Sequence, residues 1–428
     1  MITPQSVLRY TFGHRTFRHH QEEIIQHVAD GGNAFALMPT GAGKSLCYTI
    51  PALMRDGTAI VVSPLIALMQ DQVTDLKGHW IDAAYLTSTL SRKEQSEVEA
   101  AFMAGRYDLL YVSPERLLSP RFLSLLDSCV AKDKISLFAF DEAHCLAQWG
   151  HDFRRDYLRL GEIVARFPDV PRIALTATAD RNTRSEIITT LRLEDALVRI
   201  SSFSRPNIRY QIVPKGNVYR QLADFIESKH LGSTGIVYCL SKNSVECTAA
   251  FLNERGIRAL PYHADLSAGI RQQNLDLFMN GDGVVMVATI AFGMGINKPD
   301  VRFVAHADIP SSIESYYQET GRAGRDGKPA DAWLAFSKKD AAARSAMLKR
   351  GIADPNRKSI ALHRLNALVA LCTESACRSA TLLQYFDERA SPCRTCDNCL
   401  SASVARRRPS GRIGVPNRAT LPEGLLEY

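Results

Sequence analysis

"NAFALMPTGAGKS", Asn33 to Ser45, places a short apolar run against two glycines, a lysine and a hydroxyl. A helical pattern follows, starting near Lys44. Strand, glycine-rich loop and helix in that order form the phosphate-binding unit of a parallel α/β sheet. Gly41 and Gly43 let backbone N–H groups turn inward toward phosphate oxygens. The start of the following helix adds a favourable dipole. Lys44 can reach the β and γ phosphates of a nucleotide, and Ser45 can ligate Mg²⁺. Thr40, Gly41, Gly43, Lys44 and Ser45 are therefore the expected nucleotide contacts. Met38 stands where the strict pattern has glycine. The competing reading is a glycine turn before an ordinary helix.

Outward from this unit the rhythm repeats. "AIVVSP", "DLLYVSP", "SLFAFDE" and "RIALTAT" are strand-like runs separated by helical patterns, and each ends in polar or glycine-rich residues. This is the βαβ pattern of a parallel sheet covered on both faces. The pattern pauses at "SSFSRPNIRYQIVPKGN" and resumes with "GIVYCLS", "ALPYHA", "VVMVAT" and "VRFVAHADI". The expected class is α/β, with two tandem parallel-sheet domains over 1–204 and 205–337. A helical module over 338–402 and a basic flexible tail over 403–428 complete the chain.

The 428 residues are 46% hydrophobic and 23% charged, an ordinary globular composition long enough for several cores. A net charge of +7 permits an acidic partner without requiring one. No run has the length of a membrane span and no signal core opens the chain. A soluble, cytoplasmic protein is expected, nucleoid-associated if bacterial.

Asp141 and Glu142 follow the apolar run "SLFAF". A carboxylate at such a strand end can hold Mg²⁺, and its neighbour can orient or deprotonate an attacking water. The alternative is a solvated acidic pair. In the second unit, "YYQETGRAGRDG" carries Gln318, Arg322 and Arg325. Paired guanidinium groups suit the charge that develops on a transferring phosphoryl group. A second α/β unit without its own phosphate loop would complete the site by closing on the first, although arginines at a helix tip are more often merely solvated.

Together these residues resemble superfamily two helicases, and more narrowly the RecQ family. "LRYTFGHRTFRHHQ", Leu8 to Gln21, fills the family's N-terminal motif, and "VSPLIALMQDQV", "ALTATA" and "SYYQETGRAGRDG" match further motifs. The resemblance implies RecA-like domains. It also implies that Gln21 reads the adenine edge, with Phe17 and Arg18 shaping the base pocket. "AQWGHDFRRDY" is similar to the family's aromatic-rich loop. There Trp149 and Phe153 can stack on single-stranded bases, with His151 and Arg154 beside them. The plain alternative is that both aromatics are core residues. The implied activity is ATP-dependent 3′→5′ unwinding of DNA, in repair and recombination. The rival is a nucleotide-switched DNA-binding or strand-annealing factor.

Cys377, Cys393, Cys396 and Cys399 have the spacing C-x15-C-x2-C-x2-C. Thiolates at this density favour structural Zn²⁺, with free or redox thiols as the alternative. The surrounding residues resemble the RecQ zinc module, expected to be pinned against the second α/β unit. Cys372 is expected to be a core residue. Many RecQ proteins continue into a winged helix and a small helical DNA-binding domain. Only residues 403–428 follow the zinc module here, so a short form is expected. The arginines of that stretch suit either phosphate contacts or plain solvation. The expected partners are single-stranded and forked DNA, with no membrane, unknown protein partners and a monomeric state.

Overall fold

The computed structural model describes residues 2–146, 155–290, 292–293 and 298–407, with nothing said of the side chains of Ala67, Arg155, Asp156 and 404–407. Its first lobe holds seven strands: β1 (Ala34–Leu37), β2 (Thr58–Val62), β3 (Ala83–Leu86), β4 (Leu109–Val112), β5 (Ile135–Phe140), β6 (Arg172–Thr176) and β7 (Leu197–Ile200). They form one parallel sheet in the order β3-β4-β2-β5-β6-β1-β7. Every residue of β1, β2, β4 and β5 is buried. Alternate residues enter opposite cores. Phe35 and Leu37 of β1 pack on one face of the sheet, Ala34 and Ala36 on the other. Near-continuous apolar strands are what a sheet with two covered faces demands, and each fully buried large side chain contributes about 1.5–3 kcal/mol.

The second lobe has six strands: β8 (Ile208–Pro214), β9 (Gly235–Tyr238), β10 (Ala259–Tyr262), β11 (Val285–Ala288), β12 (Phe303–His306) and β13 (Ala330–Phe336), in the order β10-β11-β9-β12-β13-β8. The pairings are again parallel. The expected pause in the rhythm is in part a strand. β8 lies within it and pairs with β13 along its whole length. Only alternate residues near its start are buried, as suits an edge, so it lacks the solid apolar run of the central strands.

The helical module comprises Lys338–Gly351, Pro355–Thr373, Arg378–Tyr385 and Asp397–Arg407. The last helix runs to Arg407. The module was expected against the second lobe, and Leu365, Leu368, Leu371, Leu382 and Cys396 do join that lobe's core. It also touches the first: Leu383 and Phe386 belong to the first lobe's core. Asp397 accepts from the backbone N–H of Ile212 on β8, at 3.0 Å. No described helix is long and apolar enough to cross a membrane.

Candidate active site

β5, β6 and β1 are neighbours in the first sheet, so the segments leaving their carboxyl ends converge. After β1, Gly41 (φ +80°) and Gly43 (φ +78°) adopt the left-handed backbone that glycine alone takes without strain. The helix Leu46–Met54 follows, with Ser45 as the residue before it. Lys44 Nζ lies 3.5 Å from the carbonyl of Met38, folded over the loop. A side chain on Gly43 would come within 2.7 Å of Gln21 Nε2, so the loop needs glycine there for a second reason.

Gln21 is buried beside this loop. Its Nε2 donates to the carbonyls of Ala42 (3.1 Å) and Gly43 (2.9 Å), and its Oε1 accepts from the N–H of Arg18 (2.8 Å). In this structure the amide expected to face adenine therefore also fixes the phosphate loop. Phe17 packs against a small apolar cluster that includes Leu8 and Ile25.

Asp141 and Glu142 follow β5. Glu142 has φ +48°, a strained conformation for a side chain of its size, and its N–H donates to Asp141 Oδ1 at 2.9 Å. Burial, then the adjacent Glu142, pushes the Asp141 carboxyl up. Glu142 is half-buried, which opposes its ionisation, but His144 and Lys44 hold it below the usual range. The two carboxyls thus differ in proton affinity, Asp141 being pushed up and Glu142 held down.

His144, which the sequence reading passed over, connects this pair to the next strand. Its Nδ1 lies 3.3 Å from Glu142 Oε2 and 2.9 Å from Thr176 Oγ1 at the end of β6. Thr176 Oγ1 donates to the Thr178 carbonyl and accepts from the Thr178 N–H. Thr178 Oγ1 accepts from Gln318 Nε2 of the second lobe at 2.7 Å. Polar contacts thus run from the carboxylate pair across the gap between lobes.

Gln318 lies on the helix Ile313–Thr320, capped by Ser312, whose Oγ accepts from the Ser315 N–H. The turn after it delivers the arginines. Arg325 packs on the phosphate loop: its Cγ lies 3.4 Å from where a side chain on Gly41 would start. Arg322 is buried, with Nε lacking a hydrogen-bond partner among the described residues, and it lies close enough to lower the Glu142 pKa. Burial, then Arg322, pushes Arg325 below its ordinary value. Cationic groups crowded like this repel one another and suit an anionic ligand.

Two residues of the interlobe segment, both missed from sequence, hold this loop. Arg205 donates to the carbonyls of Gly321 (3.0 Å), Ala323 (2.7 Å) and Gly324 (3.2 Å). Asn207 Nδ2 donates to Gly324 (2.8 Å) and Lys328 (2.9 Å). The signal was the polar "SRPN" between two α/β units, which gives no hint of its target.

In the module, ligand atoms of Cys377, Cys393, Cys396 and Cys399 lie within 4.8 Å of one another. Burial raises Cys393, but hydrogen bonds from Ser379, Thr395 and the backbone bring its thiol down to about 6. Burial pushes Cys396 up to about 12. Four sulfurs at this spacing fit one tetrahedral thiolate-loving cation. Cys372 is buried and is not one of the four, as expected. Trp149, His151, Phe153 and Arg154 lie outside the described residues, as do Arg408, Arg412 and Arg418.

Three family models match consecutive stretches: DEAD/DEAH box helicase over 18–186, helicase conserved C-terminal domain over 217–327, and RecQ zinc-binding over 338–400. The chain is 46% identical over 399 residues to the ATP-dependent DNA helicase RecQ of Haemophilus influenzae, covering 93% of this chain and 64% of that protein. It is 39% identical over 404 residues to the protein of the same name in Bacillus subtilis, covering 94% of this chain and 67% of that one. Among solved structures, Mss116p bound to ssRNA and AMP-PNP superposes with a TM-score of 0.64 at 15% identity, over 85% of this chain and 82% of that one. At this identity the likeness concerns fold alone, and the shared fold is the two-lobed arrangement described above.

Proposed function

The chain belongs to the RecQ helicase family, and from that premise we propose that it couples ATP hydrolysis to 3′→5′ movement along single-stranded DNA and to unwinding of forked duplexes, in DNA repair and recombination. The observation that carries this reading is the approach of Arg325 and Arg322 of one lobe to the phosphate loop and Glu142 of the other. A site assembled from two lobes reports their closure, and hydrolysis that depends on closure can drive movement.

In this reading Thr40, Gly41 and Gly43 cradle the triphosphate, and Lys44 neutralises its β and γ oxygens. Phe17, Arg18 and Gln21 form the base pocket. Ser45 and Asp141 are the Mg²⁺ ligands, and the ion supplies charge neutralisation at the transferring phosphoryl group. Glu142 takes the proton of the attacking water. Arg322 and Arg325 stabilise the charge that builds up as the bond to ADP breaks, and Gln318 senses the other lobe. Cys377, Cys393, Cys396 and Cys399 hold a structural Zn²⁺. Trp149 and Phe153 stack on the strand, with His151 and Arg154 at its phosphates. The protein acts as a monomer in the cytoplasm.

The test is strand displacement from forked duplexes with 3′ and 5′ overhangs. ATP-dependent displacement from the 3′ tail that Lys44→Ala abolishes supports the reading. Annealing or binding that survives Lys44→Ala, with no displacement at all, replaces it with a nucleotide-switched DNA-binding factor.

A further inference from the structure

The helical module reaches into the seam between the lobes. Its helix Pro355–Thr373 carries Arg364, whose side chain is only 13% exposed. One guanidinium nitrogen donates to Asp180 Oδ2 and to Thr183 Oγ1, each at 3.2 Å. Both acceptors belong to the first lobe, at the start of the helix Arg181–Thr190. The Nε of the same guanidinium lies 3.0 Å from Glu314 Oε1, in the first turn of the helix Ile313–Thr320 of the second lobe. Tyr385 of the module donates to that Glu314 oxygen at 2.6 Å.

Each attachment leads straight to the candidate active site. Asp180 caps its helix by accepting from the Thr183 N–H at 2.7 Å, and it stands just beyond Thr178. Glu314 lies one turn before Gln318 on one helix, and Arg322 follows that helix's end. Arg364 therefore spans the two elements that bear the Gln318–Thr178 contact, from outside either lobe. A guanidinium can do this because its planar fork addresses separate acceptors at once, whereas an ammonium is a single point charge.

We propose that Arg364 is a positioning residue for the reaction: it holds Asp180 and Glu314 at their closed spacing, and so favours the arrangement in which Arg322 and Arg325 face the phosphate loop. The module is then a brace between the lobes, set apart from any part its cysteines play in metal binding. The proposal rests on the reading of the chain as a nucleotide-driven two-lobed motor. Loss of the brace is not made good by neighbours. Glu314 Oε2 is already buried without a hydrogen-bond partner among the described residues, so without Arg364 the carboxylate keeps only Tyr385.

The experiment measures interlobe distance and ATPase kinetics on the full chain. An acceptor dye is placed on the native exposed Cys247 of the second lobe, and a donor on an exposed first-lobe position through Lys132→Cys. Energy transfer is read with AMP-PNP and a single-stranded oligonucleotide. In Arg364→Gln the nucleotide-loaded distances should lengthen and broaden. KM for ATP should rise about five-fold with a smaller change in kcat, at unchanged metal content. Arg364→Lys should fall between Arg364→Gln and the unsubstituted chain. Asp180→Asn keeps the helix cap and Glu314→Gln keeps the Tyr385 contact, so each should reproduce part of the shift without touching the module's fold. These two variants decide the matter if Arg364→Gln fails to fold. Unaltered closure and KM in the variants, in a chain that itself closes on nucleotide, overturn the brace and leave the motor reading intact. A chain that never closes on nucleotide overturns both.

Discussion

Gln318 of the second lobe donates its side-chain amide to the Thr178 hydroxyl of the first at 2.7 Å, and Thr178 is hydrogen-bonded to Thr176, which meets His144. Lobe closure and the Glu142 environment are joined by these few polar contacts. Gln318→Ala or Thr178→Val should therefore lower DNA-stimulated ATP hydrolysis about ten-fold while leaving nucleotide affinity nearly unchanged. Steady-state kinetics with and without single-stranded DNA, alongside titration of a fluorescent nucleotide, checks this. Equal losses in both measurements would count against the connection.

Arg205 ties down three carbonyls of the loop that bears Arg322 and Arg325. Arg205→Met keeps length and removes the donors. The loop's backbone should loosen, and kcat should drop by roughly one to two orders of magnitude while the thermal midpoint moves by only a few degrees. Parallel calorimetry and ATPase measurement separate this from simple unfolding.

Removal of metal should act on the module before the lobes. Cys396 is fully buried within the four-cysteine group. Cys396→Ser, or a strong chelator, should abolish bound zinc and lower stability by several kcal/mol, because metal binding is there part of folding. Cys372→Ala should keep one zinc per chain, as elemental analysis would show.

Asp331 on β13 accepts from Arg209 at 2.7 and 2.8 Å and lies 2.9 Å from His230. Burial opposes its ionisation, but these partners bring its pKa from the ordinary 3.8 down to about 2. A lowered carboxyl stabilises the fold above its unfolded value and loses that contribution as pH falls through the folded one. Asp331→Asn should therefore cost on the order of 1 kcal/mol at neutral pH, after discounting for solvent screening. The gap to the unsubstituted chain should close between about pH 4 and pH 2. Urea unfolding at a series of pH values measures it.

How much of this was readable beforehand follows from what each residue does. The phosphate loop, the carboxylate pair and the cysteine group are local: their chemistry needs a fixed spacing along the chain, and spacing is visible. The central strands β1, β2, β5 and β6 were visible because burial on both faces leaves solid apolar runs. The edge strand β8 was hidden because a half-exposed strand has no such run. β3, β7 and β13 are also hard to read. "AAYL" and "LVRI" are short, and the apolar run "ADAWLAF" sits directly after the glycine-rich turn that bears the arginines. The long-range contacts of Arg205, Asn207 and Arg364 were invisible for another reason. Each joins positions far apart in the chain, and an arginine's sequence neighbours do not say which distant carbonyl or carboxylate it will meet.

β8 ends the second sheet, with β13 on one side only and Asp397 of the module occupying the backbone N–H of Ile212 on the other. An uncapped outer strand is a template on which another chain can add its own. The cysteine module occupies a backbone donor of that strand, and unfolding of the module would free it. Protein stripped of its metal would be expected to form oligomers through this strand, and to do so more readily at high protein concentration than an intact sample.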